Sequence, residues 1–196
     1  MAFNIEPGES YTIRRQFFKL LGAAFHVYDP DGRLVGYCKQ RAFKLKEDLR
    51  ICTDESCAQE LMVIRARSII DFGATYDVTL PTGEALGSLR RKGLTSSFVR
   101  DEWLIFGRDG RQIGRITEDS GTKAFLRRYI DFMNMLLPQT FHLVREDGTP
   151  VAAYRTHFNL FVHRMSVSVF ADDPEIDDLV ILAAGCLLAA IEGRQG

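Results

Sequence analysis

The sequence has no excess of charge of either sign. Its 25 Lys and Arg stand against 26 Asp and Glu, for a formal net charge of -1. That balance excludes a global basic field, so nucleic acid is not an expected partner. Cysteine is scarce: Cys38, Cys52, Cys57 and Cys186, with no CxxC spacing. Without paired-ligand spacing, a structural zinc site is not expected. No apolar run is long enough to span a bilayer. The longest run without a charged or polar side chain, from Leu179 to Ile191, covers thirteen residues. As a helix it reaches about 20 Å, whereas a hydrocarbon core of about 30 Å needs roughly twenty residues.

Catalytic signatures are missing as well. There is no nucleophile elbow, Walker A loop, HExxH or dinucleotide fingerprint. His26, His142, His157 and His163 lie apart, none beside a cysteine or carboxylate at metal spacing. The expectation is a non-enzymatic protein with no cofactor. The N-terminal stretch "MAFNIEPGESYTIRRQFFKLLG" lacks an apolar h-region, because Glu6, Glu9, Arg14 and Arg15 interrupt it. Ala2 stands where myristoylation needs glycine, and "GRQG" is not a prenylation box. A cytoplasmic location with reduced thiols is therefore expected.

What is present is an ordinary globular composition, 46% apolar and 26% charged over 196 residues. That suits one domain, 1–196, with a substantial core. Most of the chain reads as short strands. Asp31-Gly32, Thr82-Gly83, Asp109-Gly110 and Asp147-Gly148 each separate two extended runs, a strong hairpin signal because glycine accepts positive φ. Four residues after each glycine comes a small residue: Gly36, Gly87, Gly114 and Ala152. Small strand residues suit a bend or the close approach of another element. His26 in "FHVY" and His142 in "FHLV" hold equivalent places in two of these units. The repeated hairpin predicts a mainly β barrel or sandwich.

Two segments have helical character. In "TKAFLRRYIDFMNMLLPQ", Phe125, Tyr129, Phe132 and Leu136 share a face and Pro138 ends the run, which predicts an amphipathic helix near 123–137. The C-terminal run predicts a helix over about 175–192 that is apolar all round and so buried on every side. Ala183, Ala184, Gly185, Ala189 and Ala190 keep it thin, and Gly193 is placed to end it. Such a helix fits inside a barrel, with the small strand residues making room. Asp177, or Asp172 and Asp173 with Pro174, would cap its positive end.

The unit "FHVYDPDGRLVGYCKQRAFKLKEDLRICTDESCAQELMVIRAR" resembles LURP-one-related proteins and phospholipid scramblases. "IGRITED" and "DPEIDDLVILAAGCLLAAIEG" are similar to the end of the scramblase domain. The resemblance implies the tubby C-terminal-like fold, a closed antiparallel barrel of about 12 strands around a C-terminal helix. It also brings a calcium candidate, Asp173, Glu175 and Asp177. Asp178 and Ala184 stand where an EF-hand has glycine and glutamate, which favours capping. The proline-rich extension and palmitoylated segment of scramblases have no counterpart. Tubby domains bind phosphoinositides through basic residues, and this chain has clusters at Arg14-Arg15, Lys39/Arg41/Lys44/Lys46, Arg90-Arg91-Lys92 and Arg127-Arg128. Such runs are commonly solvated faces. In "LRRKGLTSSF", Gly93, Thr95, Ser96 and Ser97 accompany three cations, a composition suited to a phosphate.

The expected function is binding of a membrane surface or anionic phospholipid headgroup, a phosphoinositide included. Arg90, Arg91, Lys92, Arg127 and Arg128 are the candidate contacts. A protein-interaction scaffold and a phospholipid scramblase are the alternatives.

Overall fold

The computed structural model describes residues 10–18, 22–40, 49–68, 74–92, 102–118, 139–157, 163–170 and 173–192. Its strands, in chain order, are β1 Ser10–Phe18, β2 Gly22–Tyr28, β3 Leu34–Gln40, β4 Leu49–Cys52, β5 Glu60–Ser68 and β6 Thr75–Thr79. They continue as β7 Ala85–Arg91, β8 Glu102–Phe106, β9 Gln112–Glu118, β10 Thr140–Arg145, β11 Pro150–His157 and β12 His163–Val169. Each pairs antiparallel with its chain neighbours, and β12 returns to β1, so the sheet closes. Closure leaves no strand edge exposed. One helix, α1 Asp178–Glu192, runs inside. The chain thus forms the expected closed barrel around a C-terminal helix. The candidate helix near 123–137 and Gly193 lie outside the described residues.

The repeated hairpin is real and has a reason. In β2–β3, β6–β7, β8–β9 and β10–β11 the strand register slips by one residue just after the turn. Such a bulge bends and twists a strand, which a closing sheet needs. The residue that follows pairs with the neighbouring strand: Gly36 with Val27, Gly87 with Val78, Gly114 with Ile105, Ala152 with Leu143. A Cβ on Gly87 would lie 2.7 Å from the Phe106 carbonyl oxygen, and one on Gly114 would lie 2.8 Å from that of Val144. Val180 and Ile176 come only to 3.4 Å of the same points. The small residues serve strand-to-strand approach first and clearance for the helix entrance second.

The helix is buried from Val180 to Ala190. Wall residues such as Ile13, Phe25, Met62, Ile105, Leu143 and Val167 surround it. A Cβ on Gly185 would lie 2.8 Å from Ile13 Cδ1 and 3.1 Å from Val167 Cγ2, so the wall closes onto the helix where it is thinnest. Tyr154 Oη, fully buried, donates to the Ile181 carbonyl at 3.0 Å. The helix begins at Asp178, later than the expected 175, because the preceding residues are used as caps. Asp173 Oδ1 accepts the amides of Glu175 (2.9 Å) and Ile176 (3.0 Å). Asp177 Oδ1 accepts the Leu179 amide at 3.0 Å, while its carbonyl accepts the Val180 amide at 2.8 Å. That is an N-cap, satisfying a donor the first turn would leave orphaned. Among the described residues, no helix is long and apolar enough to cross a membrane.

The cysteines correct one expectation. Cys52 and Cys57 form a disulfide, with Cα atoms 5.1 Å apart. Their spacing of five lets the β4–β5 loop fold Cys57 back against the end of β4. Cys38 and Cys186 are buried thiols. Burial pushes the Cys38 thiol up to about 12 and raises Cys186 as well.

Candidate functional site

The antiparallel order gives the barrel two unlike ends. At one, the five hairpin turns and the N-terminus of α1 gather. At the other, β1, β3, β5, β7, β9 and β11 finish and α1 ends. The acidic stretch lies at the turn end. Arg145 Nη1 meets Asp173 at 3.0 Å and its Nη2 meets Glu175 at 3.1 Å. Arg111 reaches Glu175 at 3.6 Å, and Arg108 bridges Glu84 (2.8 Å) and Asp177 (3.2 Å). All three calcium-candidate carboxylates therefore have arginine partners, and two of them also cap. Among the described residues, no group of three or more His, Cys, Asp or Glu could hold a metal ion. A shallow cleft of about 230 Å³ lies between Arg111, Arg145, Asp147 and Glu175, at this end and away from the basic candidates.

Arg90, Arg91 and Lys92 lie at the opposite end, where β7 finishes. Side chains alternate along a strand, so Arg90 and Lys92 share the outer face while Arg91 follows the parity of buried Leu89. The guanidinium of Arg90 lies 5.0 Å over the Phe106 ring, and its Nε donates to Thr75 Oγ1 at 3.3 Å. Lys92 Nζ pairs with Glu102 at 2.8 Å. The sequence triplet therefore does not act as one cradle. Arg90 is exposed and held by an aromatic face, and Lys92 is exposed and paired with a carboxylate. Arg127 and Arg128, and also Gly93, Thr95, Ser96 and Ser97, lie outside the described residues.

The register adds basic residues that the sequence did not group. His157 pairs with Arg164, Arg164 with Arg14, and Arg14 with His26, a row that runs from the basic end at β11 toward the turn end at β2, where the Arg14 guanidinium lies 5.0 Å over the Tyr28 ring. Like charges directly opposite across strands repel unless something neutralises them. At His157, burial lowers the pKa below its ordinary value, and Arg155 and Arg164 lower it further. Arg65 and Arg67 add to this end from β5, Arg67 paired with Asp77. The acids on the described strands there are Asp77, Glu102 and Glu118. Arg15 is spent differently. It is buried, and its Nη1 donates to the Ala190 and Ala189 carbonyls at 3.0 and 3.3 Å. A cation there complements the negative end of the helix dipole.

No curated protein matches the chain. The sequence model of the LURP-one-related family covers residues 34–189, from β3 through most of α1, and the chain belongs to that family.

Proposed function

We propose that this chain is a non-enzymatic barrel that docks its basic end on an anionic membrane surface, from the cytoplasmic side, and binds a phosphate-bearing lipid headgroup there. The supporting observation is the segregation of charge along the barrel. Among the described residues, acids gather on the hairpin turns and before the helix, while Arg65, Arg67, Arg90, Lys92, Arg155 and Arg164 lie toward the opposite end. Each basic residue near an anionic surface contributes about 1 kcal/mol, within a Debye length of about 8–10 Å. Arg90, with its guanidinium already placed by Phe106, is the leading contact among the described residues, and Arg155 and Arg164 extend the surface. Arg127 and Arg128 belong to the same proposal by sequence alone.

Co-sedimentation with vesicles of neutral lipid, and of neutral lipid with a phosphoinositide or phosphatidylserine, tests this. Binding that needs anionic lipid and fades with salt is the expected result. No binding under any condition would transfer the function to a protein-interaction scaffold. Lipid flipping in reconstituted vesicles would point instead to scramblase activity.

A further inference from the structure

Five hairpins turn at the same end of the barrel, and one departs from the rest. In four, the last turn position is a glycine with positive φ: Gly32 (77°), Gly83 (90°), Gly110 (76°) and Gly148 (88°). In the β4–β5 hairpin that position is Cys57, with φ of 51°. The equivalence is geometric. Cys57 N donates to the Asp54 carbonyl at 3.1 Å, as Gly32 N donates to that of Asp29 at 3.0 Å. A register slip follows here too, between Ile51 and Cys52. A side chain in the left-handed region costs free energy that glycine avoids. The side chain that takes on this cost is bonded to Cys52.

The closed loop also carries a contact. Glu55, inside the ring formed by the disulfide, lies 2.8 Å from His26 Nε2 through its Oε1. His26 is on the outer wall of β2 and only 6% exposed. Its Nδ1 is buried without a hydrogen-bond partner. Tyr37 and Tyr28 flank the ring, at centroid distances of 5.0 and 6.2 Å. Glu55 is thus the polar partner of Nε2 on a covered imidazole, and the loop holds it there.

We infer that Cys52 and Cys57 are a reversible redox modification site whose oxidised form fastens Glu55 over His26. The reductant is a dithiol. One of its thiolates attacks the sulfur of Cys57, which is exposed, and the Cys52–Cys57 bond breaks. Cys52 leaves as a thiolate and takes a proton. The second thiol of the reductant then closes the reductant's own disulfide and releases Cys57 as a thiol. Two electrons pass to the chain, and the reverse exchange restores the bond. Cys38 and Cys186, both buried, stay out of it. In a reducing compartment, a protein disulfide is characteristically transient and sensing, not a fixed staple. Once reduced, Cys57 keeps an unfavourable backbone conformation with no covalent tie, Glu55 is released, and the His26–Tyr37 face is uncovered.

The test equilibrates the full chain with defined ratios of reduced and oxidised dithiothreitol, then alkylates it and maps the labels by mass spectrometry. His26 acylation by diethyl pyrocarbonate is followed in parallel. The expected result is reversible labelling of Cys52 and Cys57, none at Cys38 or Cys186, and unchanged circular dichroism. His26 acylation should rise about tenfold on reduction, the factor implied by loss of one charge-assisted hydrogen bond. Cys57→Gly restores the glycine of the sister hairpins, so it should fold and show a His26 rate independent of redox state. Glu55→Ala should still form the disulfide and leave His26 reactive in both states. Thiols at Cys52 and Cys57 under fully oxidised reagent would overturn the proposal. So would a His26 rate equal in both states, or a redox-dependent rate in Cys57→Gly.

Discussion

At the turn end of the barrel, Arg108, Arg111 and Arg145 are tied to Asp177, Glu175 and Asp173, and those acids in turn stop and cap the segment leading into the helix. At the other end, Arg15 is spent on the helix, while Arg155 and Arg164 lie close to each other on paired strands, with few acids on the described strands near them. The first arrangement is a closed circuit of charge that serves the fold. The second places Arg90, Arg155 and Arg164 toward one end of the barrel, where Asp77, Glu102 and Glu118 are the acids on the described strands. If the turn-end ion pairs serve the fold and the opposite end serves the proposed binding, variants at the two ends should separate accordingly.

The largest effect should come from Arg15, the cation that belongs to the fold although it lies at the basic end. Arg15→Ala leaves the Ala189 and Ala190 carbonyls without this donor inside the barrel and removes a partly buried dipole partner. The expected loss is about 2–3 kcal/mol of unfolding free energy in a urea titration. Asp177→Ala at the opposite helix end should cost about 1 kcal/mol, through the N-cap. Arg90→Ala combined with Lys92→Ala should weaken anionic-vesicle binding about thirtyfold, two contributions of about 1 kcal/mol each. That pair should leave stability within about 0.5 kcal/mol, as surface substitutions do. Arg111→Ala, at the turn end, should change neither, since an exposed ion pair contributes about 0–1 kcal/mol.

The smallest effect is acid sensitivity of the turns. The Arg111 amide holds the Asp109 carboxyl below its ordinary value of 3.8, and the Thr149 amide does the same for Asp147. With folded values depressed, the unfolded chain takes up these protons first as pH falls. Their contribution is therefore present above about 3.8 and lost as pH drops through the lower folded values. Asp109→Asn combined with Asp147→Asn should flatten that part of a stability–pH profile measured by thermal unfolding.

The parts of this architecture written in local sequence were legible in advance. Asp-Gly and Thr-Gly turns fix hairpins within a few residues, and a run from Leu179 to Ile191 without polar side chains can only be an enclosed helix here. The expected parallel between His26 and His142 also holds, since each precedes the residue paired with Gly36 or Ala152. What could not be read depends on register between distant strands. Arg15 meets Ala190 across 175 positions, and the His157–Arg164–Arg14–His26 row needs β12 to return to β1. The triplet Arg90-Arg91-Lys92 looks contiguous in sequence, yet alternation splits it between two faces. The Cys52–Cys57 bond had a local signal, a cysteine where the sister turns carry glycine, but it shows only once the five turns are superposed.

The central claim is that the basic end, and not the barrel as a whole, meets an anionic surface. Co-sedimentation of the intact chain and of Arg90→Ala/Lys92→Ala with phosphoinositide-containing vesicles, at low and high salt, tests it most directly. Salt-sensitive binding by the intact chain, weakened about thirtyfold in the variant, is the predicted result. Binding that is equal in the two proteins, or that does not require anionic lipid, would contradict it.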